Sequence, residues 1–244
     1  DANVFDIVLL EASTLNLHSR CDIPDQNDVK IINTTINTNA KCQFEPSTAQ
    51  LINSQWNIEG EGQSPYAIST PITLINSTIK LTGVTLSVKS EIAMRNSSTI
   101  KSKAPIEITY NGKIGGEGTI EGDLVVKNSG RIQTSYSFDE RQYLFNQCLT
   151  ILGTLSLDAS SSIHLQQLAY ITANSILLGD ADIEISFSLR DWTVQEWNYT
   201  VIVSTRQSIS GSFGDINITV PSGYYRLVNS KSDVTMYWNL FLKE

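Results

Sequence analysis

Between Ile106 and Thr134 the apolar residues come in ones and twos, and each small group is followed by Gly, Asn, Ser or a charge. Ile106 and Ile108, Ile114, Ile120, Leu124 and Val126, and Ile132 are the apolar positions, while Gly112, Gly115, Gly116, Gly118, Gly122 and Gly130 punctuate the run. Alternation with a period of two marks a strand, and glycine tolerates the positive φ that tight corners ask for. Strands of about three to five residues are too short to sit comfortably in hairpins. They suit a solenoid, in which the chain coils and each strand pairs with the one a full rung away.

The same rhythm runs from Gln50 to Phe187, through Ile72/Leu74, Ile79/Leu81, Val84/Leu86/Val88, Ile92/Met94 and Ile100, and again from Leu149 to Phe187. Three such strands make a rung of roughly twenty residues, near the short end of solenoid periods. The repeat reads as one of pattern and not of letters. Ile72, Leu74, Leu81, Leu86, Ile108, Ile120, Val126, Leu155 and Ile185 are the expected inward ladders. Ser135 to Cys148 breaks the rhythm and is expected to leave the coil as a loop; the only helix expected is a short one from Asp139 to Asn146. The expected fold is therefore all-β, a parallel β-helix spanning residues 49–187.

Residues 1–48 are expected to form an N-terminal strand arm and capping segment. Val4, Phe5, Ile7, Val8, Leu9 and Leu10 make a strand apolar on both faces, as a strand buried on both sides would be. Two roles fit it: a cap of the chain's own core, or an assembly strand that adds to the edge of a neighbouring copy. A head-to-tail contact of the second kind generates a filament unless it closes into a ring. Residues 188–244 are expected to form a C-terminal cap. Trp192, Trp197, Trp238 and several tyrosines gather there, and turns at Gly214-Asp215 and Pro221-Ser222-Gly223 predict antiparallel hairpins.

Leu149 to Leu157 (LTILGTLSL), Ile176 to Ile185, Tyr199 to Ile216 (YTVIVSTRQSISGSFGDI), and the later YYRL and VTMYWNL resemble the C-terminal end of autotransporter-type β-helix passengers. The likeness covers residues 110–244. It implies a right-handed parallel β-helix with a surface or adhesive role. The chain departs from that family in ending at Glu244 with no membrane barrel, and in carrying three cysteines.

Composition narrows the function classes. Only 17% of the residues are charged, below the roughly 25% of ordinary domains, so Ser, Thr and Asn must supply the polar surface. A net charge of −8 argues against nucleic acid or an anionic membrane as partner. No apolar run approaches the ~18 residues of a membrane span, and the chain opens at Asp1 as a processed secreted chain, or any trimmed one, would. Cys21 and Cys42 are the pair expected to be bonded in a secreted protein, leaving Cys148 free; three reduced core thiols are the alternative.

Candidate chemistry is sparse. Asp180 with Asp182, and Glu117 with Glu121 and Asp123, are acid clusters that a polysaccharide-active β-helix could use, but they read first as turn residues and solvated rung corners. Asp139-Glu140-Arg141 reads as a loop tip. His18 and His164 lie far apart in sequence. GKIGGEG from Gly112 to Gly118 lacks the ending of a phosphate loop. No catalytic, cofactor or metal site is expected. Glycosylation sequons occur at Asn33, Asn76, Asn96, Asn198 and Asn217, about as many as chance supplies, each at or beside an expected turn or outward strand position. The expectation is a non-enzymatic extracellular structural or adhesive protein, with itself as the first candidate partner and carbohydrate as the second. The alternatives are a polysaccharide-active β-helix enzyme (a lyase or glycoside hydrolase) and a carbohydrate-binding β-sandwich module.

Overall fold

The computed structural model describes residues 8–17, 28–41, 46–60, 64–134, 148–166, 169–186, 196–219, 224–231 and 235–242. Every helix or strand among them is a strand. The coil opens with β1 (Val8–Glu11) and β2 (Thr14–Leu17), then β3 (Asp28–Ile32) and β4 (Thr35–Asn39). It continues with β5 (Thr48–Ile52), β6 (Gln55–Glu59), β7 (Tyr66–Ile68), β8 (Ile72–Ile75), β9 (Thr78–Thr82) and β10 (Leu86–Val88). Next come β11 (Glu91–Lys101), β12 (Ile106–Ile108), β13 (Lys113–Glu121), β14 (Leu124–Val126), β15 (Arg131–Gln133) and β16 (Cys148–Leu157). β17 (Ser162–Gln166), β18 (Tyr170–Ser186), β19 (Glu196–Ser204), β20 (Ile209–Thr219), β21 (Tyr224–Lys231) and β22 (Thr235–Leu242) complete the series.

Parallel pairing sorts these strands into three stacks, and the chain visits them in rotation. The first stack runs β1, β3, β5, β8, β11, β13, β15, β17, β18, β20. The second runs β2, β4, β6, β9, β11, β13, β16, β18, β19. The third runs β7, β10, β12, β14, β16, β18, β20. The result is a parallel β-solenoid, with ten strands in the first stack, nine in the second and seven in the third among the described residues. Asp28 faces Thr48 and Lys113 faces Arg131, so a rung takes 20 residues in one place and 18 in another.

The core is a set of columns. On the second stack Ile36, Trp56, Ile79, Ile100, Ile120 and Ile151 lie in register, and on the third Tyr66, Leu86, Ile106, Leu124, Leu155 and Ile176 do. All of these are buried. So are the nine residues expected as inward ladders, from Ile72 to Ile185. Trp56 is fully buried, and its indole Nε1–H donates to Thr38 Oγ1 at 2.9 Å, which keeps a large side chain with one polar atom satisfied inside the column.

The structure departs from the expectations in four ways. First, strands as long as β18 arise because one strand bends round a corner and takes part in two or three stacks; Gly116 (φ 96) in β13 and Asp180 (φ 58) in β18 redirect the chain without ending the strand. Second, β1 to β4 continue the parallel stacks, so much of residues 1–48 is coil and not a separate cap. Third, Gly214-Asp215 lies inside β20, at a corner of the coil, where Asp215 N–H donates to Asp182 Oδ1 at 2.9 Å; both halves of β20 pair in parallel with β18, so no hairpin forms there. Parallel stacking thus passes residue 187 and reaches Thr219. The expected antiparallel pairing does follow: β22 lies between β19 and β21 and pairs with both. Fourth, the fold leaves no place for the β-sandwich reading. The helix expected at 139–146 lies outside the described residues.

Candidate functional site

The corner between the first and second stacks is built from an asparagine in a left-handed conformation on successive rungs: Asn33 (φ 51), Asn53 (φ 49), Asn76 (φ 47) and Asn96 (φ 53). Asparagine tolerates this region better than other residues with a Cβ. Asn76 Nδ2 donates to Asn53 Oδ1 at 2.9 Å. Inside the corner a second file of hydroxyls takes up backbone N–H groups that would otherwise be orphaned: Thr34 N donates to Ser54 Oγ, Ser54 N to Ser77 Oγ, and Ser77 N to Ser98 Oγ, at 3.1, 3.0 and 3.2 Å. The letters carry this device. IINTT, LINSQ and LINST are successive copies of one corner, so the repeat is one of letters as well as pattern, against the sequence expectation; MRNSS carries one residue more, with Ser97 (φ 60) also left-handed and Ser98 as the inner hydroxyl.

The sequons at Asn33, Asn76 and Asn96 belong to that corner. Each supplies the left-handed residue, and the third letter opens the next strand or lines the corner from within. All three asparagines are exposed, as is Asn217 in β20; the Asn198 backbone lies in β19. Rung three keeps the corner but loses the sequon, because Gln55 stands where Thr or Ser would be.

The acid clusters resolve into corner caps and ion pairs between rungs. Asp123 Oδ1 accepts from Thr154 N at 2.7 Å, Asp180 Oδ1 from Ser212 Oγ at 2.7 Å, and Asp182 Oδ1 from Asp215 N at 2.9 Å. Asp158, which the sequence did not single out, accepts from Asn128 N, Ser160 N and Ser160 Oγ. Glu121 pairs with Lys101 at 2.8 Å and Glu107 with Lys127 at 2.9 Å. Glu117 is exposed. Gly112 to Gly118 form a corner and part of β13. There Gly116 has φ 96, and a Cβ would strike the Met94 carbonyl.

His164 is the one histidine in the described set, on the outer side of β17. Its Nδ1 lies 3.0 Å from Glu184 Oε2 on the next rung. Burial holds its pKa below the ordinary value, Arg131 and Lys113 push the same way, and Glu184 opposes them. Arg131 Nε donates to Ser162 Oγ at 3.2 Å. Cys148 is a free, half-buried thiol beside Thr150, and its hydrogen bond and charge are the main reasons the Tyr170 phenol is pushed up. Among the described residues no three His, Cys, Asp or Glu side chains form a metal-binding group, and no helix is long and apolar enough to cross a membrane.

Cys21, Cys42, His18, Trp192, the 139–141 loop tip and assembly-strand residues Val4, Phe5 and Ile7 lie outside the described residues. Val8, Leu9 and Leu10 do not reach out as an arm over the part described: β1 pairs within the chain, Val8 with Val29 and Leu10 with Ile31, while Leu9 is 53% exposed.

Two outward files on the second stack were missed from the sequence. Thr14, Thr35, Gln55, Thr78, Thr99, Thr119, Thr150 and Thr172 stand one above another, rung after rung. Beside them Asn57 Nδ2 donates to Asn37 Oδ1 and Asn37 Nδ2 to Asn16 Oδ1, at 2.8 and 2.7 Å. No protein-family description and no curated protein matches the chain.

Proposed function

We propose that the chain is a non-enzymatic extracellular structural or adhesive protein whose outer faces present ordered polar files. The observation that carries this reading is the fate of the acids. Asp123, Asp180 and Asp182 accept hydrogen bonds that hold corners, and Glu107 and Glu121 neutralise lysines on adjacent rungs. An acid-base mechanism on a polysaccharide asks for carboxyl groups that converge on one bond with matched pKa values, and each of these carboxyls is engaged by a neighbouring rung, at a corner or along a strand. The low charge and the Ser/Thr/Asn surface support an extracellular setting.

Self-association is part of the proposal. A neighbouring copy would add a strand to the edge of β1 that is unpaired among the described residues, with backbone hydrogen bonds supplying affinity. Two measurements test the reading. Incubation with neutral and uronate polysaccharides should release neither reducing ends nor unsaturated sugars. Sedimentation should show assemblies for the full chain and monomers for a chain lacking residues 1–17. Product release would overturn the non-enzymatic reading, and a full chain that stays monomeric at high concentration would overturn the self-association.

A further inference from the structure

The threonine file on the second stack has a chemistry and a shape of its own. Its hydroxyls stand on β-branched side chains with few rotamers, at the ~4.8 Å spacing of neighbouring strands, so Thr14 to Thr172 spans roughly 34 Å in a line. Thr150 and Thr172 approach each other at 3.3 Å. Thr14, Thr35, Thr78, Thr99 and Thr119 make no side-chain hydrogen bond among the described residues, which leaves each of these hydroxyls a donor and two acceptor positions. The neighbouring asparagine file is itself uncharged on the first rungs, with the exposed Glu59 one outward position beyond it. Further along, Lys80 is a lone positive charge, while Lys101 and Glu121 neutralise each other at 2.8 Å.

The dimensions decide between partners. Two outward columns are about 7 Å apart, so the track offers roughly 300–400 Å² to a partner. A stable protein interface needs about 800 Å² from each side. A second copy lying along this face falls well short. A thread-like partner does not, because it meets one uncharged polar side chain per rung along its whole length, a hydroxyl on every rung but that of Gln55. Hydroxyls and amides without net charge match a partner that is itself hydroxylic and neutral.

We propose that the file from Thr14 to Thr172 is a track for an extended, uncharged polysaccharide lying along the coil axis. This deepens the adhesive part of the proposed function and rests on it. The test is affinity electrophoresis of the full chain through gels containing hydroxyethylcellulose, glucomannan or a β-1,3-glucan, with alginate as the charged control. Retardation is expected in at least one neutral gel. Thr99→Val with Thr119→Val keeps the shape, removes two central hydroxyls and should weaken that retardation at least tenfold. Ser210→Arg, on the outer side of the third stack, should leave it unchanged. Migration unaltered in every neutral gel, retardation by alginate alone, or retardation indifferent to the valine pair would each overturn the track. Reducing ends are measured in the same samples. Their appearance would count against the non-enzymatic reading, while the valine pair still decides whether the file binds.

Discussion

Thr134 and His164 are polar residues that the rung pattern does not call for. Thr134 is fully buried and its Oγ1 has no hydrogen-bond partner among the described residues. A buried hydroxyl left unpaired costs about 1 to 3 kcal/mol. Thr134→Val exchanges that hydroxyl for a methyl group of similar size in a residue suited to strands, so the variant should gain up to about that amount, read as a higher denaturant midpoint at unchanged slope. A midpoint that falls would mean the hydroxyl is satisfied. His164 makes the pH prediction. Its folded pKa lies below the free value of about 6.5, so the native state binds fewer protons than the unfolded chain. Its contribution to stability is fully present above 6.5 and is lost as pH falls through the folded value. Unfolding followed from pH 8 to pH 5 should show this loss, and His164→Gln should remove that component of the slope. An identical slope in the variant would show that the loss comes from other groups.

At the scale of the element, the corner carries the specificity. A left-handed residue with a Cβ pays about 1–2 kcal/mol unless it is asparagine or aspartate, so Asn76→Ala should destabilise by about that much. Asn76→Gly keeps the φ of 47 available and loses only the exposed bond to Asn53; it should cost less than half as much in chemical denaturation. Equal losses would show that the ladder bond, and not the backbone, matters. This corner also explains what could be read from the sequence. The inward columns were legible because Ile72, Leu86 or Ile120 each occupy the apolar member of a two-residue alternation. The outward threonine file was not, since its members are polar, lie about twenty residues apart, and align only once corner lengths are known. Gly214-Asp215 was misread because a hairpin turn and a coil corner ask for the same residue types; parallel pairing with β18 on both sides separates them. The candidate acids were legible as corner residues, although their partners, such as Thr154 for Asp123, sit a rung away in space and a full rung away in sequence.

For the whole molecule, contacts run from each rung to its neighbours. Stability in such a stack is close to a sum of rung terms and interface terms. Asn53 and Asn76 are equivalent positions one rung of 23 residues apart, as Ile52 with Ile75 and Gln55 with Thr78 confirm. A second copy of residues 54–76 placed between Asn76 and Ser77 would therefore rebuild the same corner, the same inner hydroxyl and the same columns, Leu74 on Leu74 among them. Trp56 is the exception: the second Trp56 would stack on the first, and its indole N–H would face Ile58 where Thr38 accepts from the first, so the copy is built with Trp56→Ile, matching Ile36 and Ile79 in that column. The enlarged chain should fold to a strand-rich state with a larger denaturant slope, since more surface is buried, and a midpoint at least as high as that of the parent. The outward files would each gain a member, Gln55 and Asn57 again, so the two tracks on the second stack would lengthen without interruption. Loss of the cooperative transition, or a midpoint well below the parent's, would show that the rungs are not interchangeable and that long-range contacts outside the stack hold the coil together.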